Sequence, residues 1–222
     1  MFETDIAALS DPATMQLMSE KMVFTDGSTV RDHLAANTIE AIEAHLKARG
    51  MSLDQFSTLK PSMLSITLTL IELNIIGIDA EGVDLFYSEK AETDNKEQLM
   101  LETVEEQLEF VLGIGADDPD KLLEYTLRDL ANLTTTMDKL VSAWREGNRE
   151  ELNEQLIEFL ARDYPYVYDD LVVKRNKNWL PQLATYFDTG DIEFVLVGAA
   201  HLIGEFGLLT LLASDGYKIE QL

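Results

Sequence analysis

Phe194-Val195-Leu196-Val197-Gly198-Ala199-Ala200-His201-Leu202 decides the reading of this chain. Four apolar, mostly β-favouring residues run into a glycine, and that is how a short strand buried on both faces reads. Glycine lets the chain turn sharply or approach a ligand closely. The next side chains are then delivered to the carboxyl edge of the sheet, where open α/β sheets place their ligands. A histidine at that edge can bind a metal or move a proton near neutral pH. The same histidine can also simply close the turn through a carbonyl hydrogen bond.

Outward from this stretch, most segments read as helix. Asn37 suits an N-cap, and Ile39, Ile42 and Leu46 follow at helical spacing as far as Gly50. Pro61 suits a first helical position ahead of a run that ends at Gly77. Val83 to Asp94 is a further amphipathic candidate. A long helix is expected from Asp118-Pro119 to about Glu146, broken by Gly147-Asn148. Glu150 to Ala161 then closes a helical hairpin at about 118–161. Strand candidates are few: Phe194–Val197, the weaker Gln98–Leu101 and Tyr217–Glu220, and a strand end at Met1–Asp5. Helices alternating with such strands predict a helix-rich α/β fold. The expected form is a small mixed sheet flanked by helices, with the hairpin protruding and available for an interaction role.

Charge narrows the partners. Among 222 residues there are 41 Asp and Glu against 17 Lys and Arg, a net charge of −24. Such a surface repels phosphate backbones and anionic lipid headgroups, which argues against nucleic acid and membrane surfaces. Its plain reading is solubility, as in a salty environment, and its sharper reading is attraction of cations or basic peptides. With no cysteine, disulfides, thiolate metal sites and cysteine nucleophiles are excluded. The opening Met1–Asp5 is acidic and has no basic n-region of a signal peptide. Met63–Ile78, the longest apolar stretch, is interrupted by Ser65, Thr67, Thr69, Glu72 and Asn74, so no membrane insertion is expected. The compartment stays open.

The order of motifs resembles the TraB/GumN family. Phe194 to Leu212, followed by Asp215-Gly216-Tyr217-Lys218-Ile219-Glu220, resembles that family's closing signature: a strand, a GxxH turn, a glycine-punctuated helix start and a final GY strand. Lys174-Arg175-Asn176-Lys177-Asn178-Trp179-Leu180-Pro181 resembles its RN-containing helix start. Gly82-Val83-Asp84-Leu85, Lys90-Ala91 and Leu101-Glu102-Thr103-Val104-Glu105-Glu106-Gln107 resemble its central stretch. Phe2-Glu3-Thr4-Asp5 resembles the end of its first acidic strand. The family is one of proposed metal-dependent hydrolases similar to Tiki-type proteases, and it lies near haem-handling ChaN-like and erythromycin-esterase-like proteins.

The resemblance implies a site. Glu3, Glu102, Arg175 and His201 are its expected catalytic residues. Gly198 and Asn176 are expected to shape the binding site, and His201 with Glu3 to hold a divalent ion (Mn, Co or Zn). Haem on His201 is the second cofactor option. The implied substrate is a peptide or small molecule. The alternative is a non-catalytic protein that sequesters a peptide pheromone or haem. The family's first GxxH turn falls before the segment matching Glu3 and is not in these residues. Residues 1–222 therefore read as an N-terminally truncated domain, inactive as it stands, from a parent that is periplasmic or lipoprotein-anchored. His33 and His45 lack a glycine three residues earlier and read as helix-surface histidines. Asp5, Asp84 and Glu205 are weaker acidic candidates, and Tyr164, Tyr166 and Tyr168 read as packing around a helix entry.

Overall fold

The Phe194–Val197 run is extended, but it does not belong to a sheet. The computed structural model describes residues 1–78 and 82–222, and among them there is no strand, only isolated bridges. Phe2 bridges in parallel to Met100 on one side and to Leu196 on the other. The expected small mixed sheet is therefore absent, and the α/β assignment gives way to a helical architecture. Side chains end both ladders after one step. Gly198 gives its amide to Glu3 Oε1 at 2.6 Å, and the Leu101 carbonyl takes Gln182 Nε2 at 2.9 Å. A ladder whose next partners are spent on side chains cannot propagate. Nor is the run buried on both faces, since Phe194 is 56% exposed. Tyr217–Glu220 makes no bridge.

Two compact units divide the chain. One comprises Leu9–Ala80 and Leu108–Thr135. Its helices include Pro12–Met22, Ala36–Lys47, Pro61–Ile75 and Pro119–Leu130. Pro61 does occupy the first helical position, and the turn beyond Ile75 carries Gly77 at φ +83°. The Ala36 helix is capped at Ala35 rather than Asn37. Val30, Ile42, Leu46, Leu64, Leu68 and Leu123 form a core from which water is excluded. His45 is not on the surface here: its side chain is 12% exposed and lies 3.3 Å from Glu72, which also pairs with Arg49. His33 is exposed and stacks on Phe24 with ring centres 4.2 Å apart.

The long helix expected from 118 to 146 is two helices, Pro119–Leu130 and Leu133–Glu146. Asn132 stands at the break, with its Nδ2 bonded to the Arg128 carbonyl at 3.4 Å. This is the local competition with the helix ladder that makes Asn a poor interior residue. Only the residues from Thr136 onward belong to the other unit.

That other unit comprises Met1–Ala8, Glu81–Gln107 and Thr136–Leu222. Its first core gathers Ala143, Leu152, Ile157, Tyr168, Val172, Val173 and Ile203. Its second gathers Met1, Leu101, Trp179, Leu183 and Leu208. Two long helical stretches each carry a π turn: Asn153–Glu158 in the first, and Asp169–Val173 between Pro165–Tyr168 and Lys174–Phe187 in the second. A π turn widens the helix by a residue and shifts which side chains face inward; such turns are frequent at functional sites. Directly after the second, Arg175, Asn176, Trp179 and Leu183 all face inward. Among the described residues, no helix is long and apolar enough to cross a membrane.

Candidate functional site

Three distant parts of one unit meet at Arg175. The Phe2 bridges hold Glu3 and Glu102 side by side, with the Glu102 amide on the Glu3 carbonyl at 2.9 Å. Gly198 opens the Ala199–Leu202 turn of helix that carries His201. The Lys174–Phe187 helix brings Arg175 between them. Arg175 Nε donates to Glu102 Oε2 at 3.0 Å, and Nη2 to Glu102 Oε1 at 2.7 Å. Nη2 also donates to Glu3 Oε2 at 2.6 Å. Nη1 donates to His201 Nε2 at 3.1 Å. The guanidinium lies over the Trp179 ring at 4.7 Å.

The hydrogen bonds fix the histidine's form. A guanidinium only donates, so His201 Nε2 accepts and the proton sits on Nδ1. Nδ1 then donates to Asn176 Oδ1 at 2.7 Å. Asn176, fully buried, spends its Nδ2 on the carbonyls of His201 at 3.0 Å and Phe206 at 2.7 Å. Burial pushes the His201 imidazole down to about 4; the neighbouring Arg175 charge adds to this and the Glu3 charge opposes it. His201 is thus a neutral ring near pH 7. Glu102 is held above its ordinary range by burial, against the pull of Arg175. Asp84 is raised too, by burial and then by the charge of Glu3.

All six expected site residues come together: Glu3, Glu102, Arg175, Asn176, Gly198 and His201. Glu3 is the most open of the cluster's titratable side chains, 20% exposed against 4% for Glu102, 7% for His201 and 8% for Arg175. A Cβ on Gly198 would sit 3.4 Å from Glu3 Oε1, so a glycine there leaves the carboxylate room. Trp179 is a member that sequence reasoning missed: it is 1% exposed and packs its ring 4.5 Å from that of His201. Its position four residues after Arg175 on one helix was the available signal. Asp5 lies elsewhere, capping the amide of Ala8 at 2.9 Å. Glu205 lines a separate groove of about 590 Å³ with Arg149 and Thr210. Tyr166 is 84% exposed, whereas Tyr168 belongs to a core.

This donor set does not fit a divalent ion as it stands. Among the described residues, no three of His, Asp and Glu converge as metal ligands. His201 Nε2 and Glu3 Oε1 are 4.0 Å apart, and the cation between the carboxylates is already Arg175. A catalytic metal takes about three protein ligands with one position open. Haem meets the same obstacle, because both nitrogens of His201 are engaged.

A family model described as TraB/PrgY/gumN matches residues 1–221. Among curated proteins, Metalloprotease TIKI2 of Danio rerio is 21% identical over 269 residues, which take in 99% of this chain and 51% of the relative. The chain thus spans about half the length of the curated relative it matches. No solved structure matches it.

Proposed function

The chain belongs to the TraB/PrgY/gumN family, and from that premise we propose that it carries a hydrolytic site directed at peptides, centred on Glu3, Glu102, Arg175 and His201. The observation that carries this reading is the single buried guanidinium gripping two carboxylates and a neutral imidazole. Glu3, the member nearest solvent, is the general base toward water. Arg175 stabilises the oxyanion that forms at the attacked carbonyl. Glu102, His201 and Asn176 hold the guanidinium in place. The metal dependence in the relative's name is not carried into these steps, because the ligands do not converge.

One observation favours a second reading, a protein that holds a peptide without cutting it. The contacts of Arg175 already satisfy both carboxylates and the imidazole. Fluorogenic peptides incubated with the chain, with EDTA and then with Mn, Co or Zn, separate the two. The hydrolase reading expects cleavage that falls by about 10²-fold or more in Glu3→Gln, the usual loss on removing a general base. Peptide binding without turnover under every condition replaces it with the second reading.

A further inference from the structure

Beside this cluster lies an unpaired backbone edge. The segment through Leu196 uses one side only: the Leu196 amide reaches the Met1 carbonyl at 2.9 Å, and the Phe194 carbonyl takes the Met1 amino group at 2.6 Å. In an extended chain alternate residues point their amides to opposite sides. Val195 and Val197 therefore point theirs away from Phe2. Among the described residues, neither their N–H groups nor their carbonyls have a hydrogen-bond partner. Such an edge is a template for another extended chain unless it is covered or blocked.

The surroundings of the edge define what would lie on it. Ile192 is 100% exposed and Phe194 56%, and Phe194 packs on Tyr87 with ring centres 5.0 Å apart. Phe86 and Val83, on the Val83–Thr93 helix that carries Tyr87, are 60% and 55% exposed. From Asp188 to Gly198 the chain has three acids, Asp188, Asp191 and Glu193, and no base. The edge also has a direction. Val197 is followed by Gly198, which opens the Ala199–Leu202 turn carrying His201, so a backbone paired along the edge ends beside that turn.

We propose that Val195–Val197 is a β-addition site for an extended peptide with alternating basic and apolar residues. The proposal rests on the peptide-directed reading above and gives it a substrate conformation. Main-chain bonds to Val195 and Val197 supply register, Phe194 and its aromatic neighbours take an apolar side chain, and Asp191 and Glu193 attract the basic ones. Recognition of this kind draws affinity from the backbone and selectivity from alternate side chains.

The test needs no loss of protein structure, because the probe can be altered instead. Dye-labelled acetyl-Lys-Val-Lys-Val-Lys-Val-amide is titrated into the full chain and followed by fluorescence anisotropy. N-methylation of one alternate set of peptide amides should weaken binding at least tenfold, while methylating the other set changes it less than threefold. Phe194→Ser, at an exposed position, should weaken binding about tenfold, and a peptide with Glu in place of Lys should not bind. Equal effects of the two methylation patterns, or no binding of the basic peptide, overturn the proposal. Patterned binding without cleavage leaves it standing and removes only the hydrolase reading. Cleavage indifferent to the methylation pattern does the reverse.

Discussion

Arg175 illustrates how much one residue can hold. Among the described residues its guanidinium is the one cation paired with the buried carboxylate of Glu102, and it also anchors Glu3 and His201. Removing one partner of a buried ion pair leaves the other uncompensated, at a cost of about 3–5 kcal/mol. Arg175→Ala should therefore lower the melting temperature by about 10 °C in a chain of this size. Arg175→Lys should recover little, since an ammonium cannot reproduce the forked contacts. His201 adds a pH dependence. Its folded pKa lies near 4 against an ordinary 6.5, so the unfolded chain takes up the proton first as pH falls. Stability should drop between pH 6.5 and 4, by roughly 3 kcal/mol at the lower end. Glu102, shifted upward, works in the opposite direction just above the ordinary carboxylate range. Comparing thermal melts of wild type and His201→Gln across this range isolates the histidine; identical slopes would refute its burial as a neutral ring. The cluster's members were reached in the sequence through the resemblance of their motifs to one family; by local pattern alone only the turn carrying His201 stood out, as a glycine after an apolar run. Trp179 was not, because a tryptophan on an amphipathic helix looks the same whether it packs on leucines or on an imidazole.

At the scale of elements, breaks were easier to read than pairings. Pro61, Gly77 and Pro119 mark real boundaries, since proline and positive-φ glycine act locally. The sheet was not readable. Whether an extended run pairs depends on what its amides meet, and here Glu3 and Gln182 side chains intervene. The π turns at Asn153–Glu158 and Asp169–Val173 leave no mark in residue type, so the phase of the helix that aims Arg175 was out of reach. The turn after His201 gives a sharp test. A Cβ on Gly207 would come within 2.4 Å of the Ile203 carbonyl oxygen, a clash with backbone that no rotamer relieves. Gly207→Ala should cost more than about 3 kcal/mol, in the range of severe overpacking. Gly190→Ala meets nothing within 4 Å and has no left-handed φ, so it should be neutral or gain up to about 1 kcal/mol. Chemical denaturation of both variants decides the point; equal midpoints would refute it.

For the whole molecule, charge dominates. With 41 acidic and 17 basic residues, the folded chain repels itself, and an isoelectric point near 4.2 keeps it anionic at neutral pH. Salt shortens the Debye length from about 30 Å at 0.01 M to about 3 Å at 1 M. The melting temperature should therefore rise steadily with NaCl over that range, the reverse of what surface ion pairs alone would give. A flat or falling curve would mean that pairs such as Arg31 with Glu43 and Asp54 outweigh the repulsion.

The placement of the two indoles gives the protein an optical reporter of its own. Trp144 is 66% exposed, whereas Trp179 is sealed beneath Arg175 and His201. Caesium ions, drawn in by the negative surface, should extinguish the red-shifted emission of the first and leave the blue-shifted emission of the second. The moment at which the blue band becomes quenchable, on acidification or in urea, times the opening of the Arg175 cluster without any label attached.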